Sequence, residues 1–202
     1  MKIHSLLASV MLFFTLTAGG QQQRPKIVAE GGTPDDRASV RVLYWNTQTD
    51  VAAGQFAIDY GRPVWKKEYE DPAKFDAMTR GKIWRMGSNF WSILDTQLPS
   101  IGGKKVPVGS YYLGLHRSEE GSEWSLVFID PGRVRKGRLD AFQIEKAPVE
   151  FEALVSIAKV ETQAEKLTIT LSHPEDDIRH VTMRVAWGNV ALSAAIEVAV
   201  PE

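Results

Sequence analysis

Two stretches carry the densest chemistry in this 202-residue chain: Asp59-Tyr60-Gly61-Arg62-Pro63, and Gly81-Lys82-Ile83-Trp84-Arg85-Met86-Gly87-Ser88-Asn89. Brought together, Arg62, Lys82, Trp84, Arg85 and Asn89 would line one ligand pocket. The planar guanidinium fork matches carboxylate, phosphate or sulfate oxygens. An exposed indole offers an apolar face to a sugar ring. A structural reading competes on equal terms: Arg62 or Arg85 pairs with Asp59 and pins a loop to a sheet.

Other chemistries find less support. His116, His173 and His180 show neither an HExxH nor a His-x-His spacing, so no metal ligand is assigned. Glu175-Asp176-Asp177 lacks the alternation of a calcium loop and reads as a solvated turn. There is no G-x-S-x-G elbow and no phosphate-binding glycine pattern. Asp59 and Asp95 are candidate carboxylates for a glycosidase, but nothing pairs them, and salt bridges are the better account. The basic run Arg133, Arg135, Lys136, Arg138 reads as a solvated loop. No catalytic residue is assigned and no cofactor is expected.

The elements that must position these residues are strands. Apolar residues alternate with period two in Val40/Val42/Tyr44, Phe56/Ile58/Tyr60, Tyr111/Leu113/Leu115 and Trp124/Leu126/Phe128. The same pattern recurs in Leu167/Ile169/Leu171, Val181/Met183/Val185/Trp187 and Val190/Leu192/Ala194/Ile196/Val198. Turn chemistry separates them, as at Glu120-Gly121-Ser122 and Gly188-Asn189. Asp71-Pro72 opens a short helix near 72–80 and Gly81 ends it. Phe151, Leu154, Val155 and Ala158 have helical spacing, while Leu154, Ala158 and Val160 also fit one strand face, and a strand is preferred after about Ala153. The expectation is a mainly β, single antiparallel β-sandwich or jelly-roll-like domain with one short helix. Of the six tryptophans, Trp124 and Trp187 are in phase with core residues.

Composition bounds the rest. With 24 Lys+Arg against 25 Asp+Glu, the net charge is −1, which excludes a general nucleic-acid binder. The absence of cysteine excludes disulfides, thiolate metal sites and a cysteine nucleophile. Lys2 and His4 precede the apolar run Leu6–Ala18, and Ala18 and Gly20 suit cleavage after Gly20. The organisation expected is a signal peptide over 1–20, a flexible leader over 21–37 and one domain over 38–202. The location expected is periplasmic or secreted, with no transmembrane segment after cleavage.

DYGRPVWK (59–66), GKIWRMGSN (81–89) and IGGKKVPVGSYYL (101–113) resemble the bacterial domain-of-unknown-function family 2911. EKLTITL (165–171) and MRVAW (183–187) match more loosely. The resemblance implies a secreted or periplasmic β-rich domain without an established activity. The chain departs from the pattern at Phe90-Trp91, in the helix-like 71–80, and at Gly188. The reading that follows is a non-enzymatic binding module at Arg62, Lys82, Trp84, Arg85 and Asn89, its ligand anionic or a glycan, or else an envelope partner. A periplasmic hydrolase or carbohydrate-active enzyme and a purely structural envelope protein are the alternatives.

Overall fold

The computed structural model describes residues 36–101 and 105–200. The expected signal peptide and all of the leader before Asp36 lie outside them. Among the described residues the strands are β1 (Arg37–Asn46), β2 (Val51–Gly61), β3 (Ile83–Arg85), β4 (Ser92–Thr96), β5 (Ser100–Ile101) and β6 (Lys105–Val106). They continue with β7 (Gly109–Arg117), β8 (Trp124–Ile129), β9 (Val149–Ile157), β10 (Ala164–Ser172), β11 (His180–Gly188) and β12 (Val190–Val198). All belong to one sheet, whose main path runs β1-β2-β4-β7-β8-β9-β12-β11-β10. Ladder neighbours are antiparallel throughout.

The chain is mainly β, as expected, but the expected sandwich or jelly roll gives way to one sheet nearly closed into a barrel. Closure is made just past β2. The Trp65 N–H donates to the Glu165 carbonyl at 2.7 Å, and the Leu167 N–H to the Pro63 carbonyl at 3.0 Å. Inside the wall, the Tyr60 hydroxyl accepts from the Ile169 N–H at 2.9 Å. Period-two alternation reports that each strand buries one face, which holds for a sandwich and a barrel alike. What separates them here is the irregular segment 62–66, which has no period to read.

The interior core is the alternating set. Ile58, Leu113, Leu115, Leu167, Val181 and Met183 are buried, joined by Trp124 and Trp187 as expected. At one end the rings of Trp65, Tyr69, Phe75, Trp84, Trp124 and Trp187 pack together, with Trp84 stacked on Trp187 at 4.8 Å. The helix α1 (Pro72–Thr79) delivers Phe75 and Met78 to this cluster. Its Asp71 cap accepts from the Ala73 N–H at 3.0 Å, and Pro72 stands at the first helical position, as the sequence predicts.

A second core lies outside the barrel. Val127 and Ile129 occupy the face of β8 that alternation assigns to solvent, yet both are fully buried. They are covered by a second helix, α2 (Pro131–Gly137), and a 3-10 turn (Ala141–Lys146), with Trp91, Tyr112, Val134 and Ile144. The basic run expected to be a loop is therefore a helix. Asp130 caps it, its side chain accepting from the Gly132 N–H at 2.6 Å.

Candidate functional site

The five residues picked from the sequence do not form one pocket lining in this fold. Arg62 lies on the closure: its Nε donates to the Leu167 carbonyl at 3.2 Å and its Nη2 to Thr168 Oγ1 at 3.4 Å. Lys82 turns back to α1, where its Nζ donates to the Ala77 carbonyl at 2.7 Å. Trp84 and Arg85 are neighbours on β3, and strand alternation sends their side chains to opposite faces. Trp84 goes to the barrel interior and Arg85 to the outside, where its guanidinium sits 4.1 Å from the Phe142 ring centre. Burial lowers the Arg85 pKa, opposed by the charge of Asp140, and one of its terminal nitrogens, Nη1, is buried without a partner. Asn89, in the left-handed conformation at φ 66°, donates to the Asp36 carboxylate. Arg62 joins Asn89 there through its backbone, since its N–H donates to the Asp36 carbonyl at 2.5 Å.

Asp59 pairs with neither Arg62 nor Arg85. Its partner is Arg37, whose Nε lies 3.0 Å from Oδ1. The same guanidinium donates to the carbonyls of Ser88 at 3.5 Å and Trp91 at 3.3 Å. A β-carbon on Gly61 would lie 2.1 Å from the Ser88 oxygen and 2.6 Å from its nitrogen, so β2 and the loop 86–91 meet backbone to backbone. The Ser92 hydroxyl closes this clasp on the Met86 carbonyl. Asp59, Gly61, Met86, Ser88 and Asn89 from the two dense motifs thus fasten a loop to the barrel. The departures at Phe90-Trp91 and Gly188 are structural too. Trp91 is buried and stacks on Tyr112 at 4.7 Å. Gly188, at φ +56°, leaves room for Trp65, whose ring would lie 1.9 Å from a β-carbon there.

A concave site exists elsewhere. Where the far half of β1 faces the loop between β10 and β11, a groove of about 400 Å³ opens, lined by Leu43, Tyr44, Trp45, Asn46, His173 and Ile178, among others. That volume lies in the range of small-ligand sites, roughly 300–1,000 Å³. Tyr44 spans it, donating to the Ile178 carbonyl at 3.0 Å, and burial raises the phenol's pKa. Trp45 is half exposed, and its ring packs against no other described aromatic ring. The Asn46 carbonyl oxygen accepts from the N–H groups of Gln48 at 2.9 Å and Thr49 at 3.1 Å, which leaves the amide NH₂ as a donor. His173 Nδ1 donates to the Pro174 carbonyl at 2.8 Å. The groove is therefore lined by an indole without a ring partner, the Asn46 amide and the outer edge of the His173 imidazole. Sequence reasoning missed it, although the alternation of β1 places Trp45 out of phase with Val42 and Tyr44.

The two candidate carboxylates are held by separate partners. Asp59 serves Arg37, and Asp95 accepts from Ser110 Oγ at 3.1 Å and Gln55 Nε2 at 3.4 Å. Among the described residues no three or more His, Asp or Glu side chains are grouped to hold a metal ion, and no helix is long and apolar enough to cross a membrane.

A family model described as "Protein of unknown function (DUF2911)" matches residues 45–196. No curated protein and no solved structure matches the chain. The chain belongs to the DUF2911 family.

Proposed function

We propose that this protein is a non-enzymatic binding module of the periplasm or extracellular space, and that its ligand is a neutral glycan held in the groove beside β1. The observation that carries this reading is the grouping of Trp45, Asn46 and His173 around about 400 Å³ of open space. A sugar ring is apolar on its C–H face and carries hydroxyls that donate and accept at its rim. An indole takes the face, and the Asn46 amide and the His173 imidazole take hydroxyls at the rim. The apolar walls Val42, Leu43 and Ile178 exclude water from the contact. An anionic ligand is the poorer fit, because no Lys or Arg is among the residues that line the groove.

The test is titration of the protein with a panel of neutral oligosaccharides, followed by Trp45→Ala and His173→Ala. Stacking contributes about 0.5–1.5 kcal/mol, so Trp45→Ala lowers affinity by up to about ten-fold. Both side chains are exposed, so the melting temperature stays put. Binding that both variants leave intact, or the failure of every neutral glycan to bind, refutes the assignment.

A further inference from the structure

We infer that the outer face formed by α2 and the 3-10 turn is a docking surface for an anionic lipid bilayer. The face is basic in a chain that is not. Arg133, Arg135, Lys136 and Arg138 fall within six residues, all are exposed, and none of them is in an ion pair among the described residues, while the whole chain carries a net charge of −1. Pro131 and Val134 are buried beneath α2, while Arg133, Arg135 and Lys136 stand exposed on it and Arg138, exposed too, is its C-cap. Three carboxylates share the face with five cations, Lys146 included: Asp130 caps α2, Asp140 caps the turn by accepting from the Phe142 N–H at 2.8 Å, and Glu145 is exposed on the turn, so the face stays net positive.

The second observation is apolar and independent of charge. Phe142 is 81% exposed, more than any other large hydrophobic side chain among the described residues. Its exposure is built in. Ala141 and Ile144 on the same turn are buried, and the capping box of Asp140 with Gln143 fixes the turn, so Phe142 is held outward on a rigid support. A polybasic face with a projecting aromatic ring is the arrangement by which proteins rest on anionic headgroups and insert one side chain below them. Nucleic acid fits less well. The Arg85 guanidinium covers one face of the ring at 4.1 Å, which leaves a single face for stacking. Insertion needs only the ring's exposed edge. In the strand order β8 is the middle of the nine, while the groove sits beside β1 at the end of that order. Docking through this face would therefore point the groove away from the bilayer.

Co-sedimentation with phosphatidylglycerol vesicles, against phosphatidylcholine vesicles, tests the inference. The expected result is salt-sensitive binding to the anionic vesicles, weakened about five-fold for each of Arg133→Gln, Arg135→Gln and Lys136→Gln. Phe142→Ala weakens it further, and the melting temperature of every variant is unchanged. Binding that Phe142→Ala leaves intact overturns the insertion. Equal binding to neutral vesicles that no variant alters assigns the effect to the N-terminal apolar run and overturns the whole inference. Retention of an oligonucleotide with no vesicle binding replaces the bilayer with nucleic acid.

Discussion

Gly61→Ala puts the clasp between β2 and the loop 86–91 under direct test. The new β-carbon would stand 2.1 Å from the Ser88 oxygen, 2.6 Å from its nitrogen and 2.7 Å from its carbonyl carbon. All three are main-chain atoms, so no rotamer change relieves the contact. The Ser88 oxygen would have to retreat by more than an ångström to reach ordinary contact. That movement pulls on the Arg37 bonds to Ser88 and Trp91 and on the Trp91–Tyr112 stack. Overpacking costs about 1–3 kcal/mol, and a buried hydrogen bond lost with it about 1–3 kcal/mol. The expected destabilisation is about 2–6 kcal/mol. Urea unfolding followed by tryptophan fluorescence measures it, because Trp91 lies in the displaced loop. Gly137→Ala is the matched control: its β-carbon would meet only Leu139 Cγ and Cδ1, at 3.5 and 3.7 Å, and alanine favours the helix by up to about 1 kcal/mol. A Gly61→Ala loss below about 1 kcal/mol, or one equal to the control, would refute the backbone clasp.

Three further outcomes follow from the charges. Arg62→Ala removes a cationic donor from the Leu167 carbonyl at the barrel closure and should cost about 1–3 kcal/mol. Arg85→Met, which removes a desolvated cation with an orphan nitrogen, should stay within about 1 kcal/mol of the parent or exceed it; thermal melts of both separate the two arginines. Asp76 is held below its ordinary pKa, first by the hydrogen bond from Arg117. A depressed folded-state pKa gives stability that is present above the unfolded pKa and lost as pH falls through the folded one. Asp76→Asn should therefore flatten the fall in melting temperature on acidification below the ordinary carboxylate range, and an unchanged slope would show that the pair carries no such linkage.

Strand positions were legible because each strand buries one face of its own. Phe56, Ile58 and Tyr60 point into the barrel as their spacing predicts, and so do Val181, Met183, Val185 and Trp187. Closure was not legible, since it depends on main-chain bonds from Pro63 and Trp65, whose side chains follow no period. Nor was the outer core, because Val127 and Ile129 look like ordinary outward residues until α2 is laid over them. The candidate site suffered from an avoidable step. Trp84 and Arg85 are adjacent on a strand, and adjacency there means opposite faces. Asp59 found Arg37 across the β1–β2 ladder, where Ser39 is its register partner and no local spacing names the arginine.

The incomplete seam of the barrel has a colloidal consequence. Among the described residues β1 ladders only with β2, so its other edge has no ladder partner beside the exposed Leu43 and Trp45. Such an edge is a template on which a second chain can add, and sheet proteins blunt it by charge and by irregularity. Both devices are here. Arg41 stands exposed on β1, and the register slips between Tyr44 and Trp45, where Ala53 is skipped on β2. A bulge increases local twist, which turns the last residues of β1 out of the plane that an incoming strand would need. The irregularity falls on the same stretch of β1 that lines the groove, so the ligand side of this strand and its guard against edge pairing are one feature.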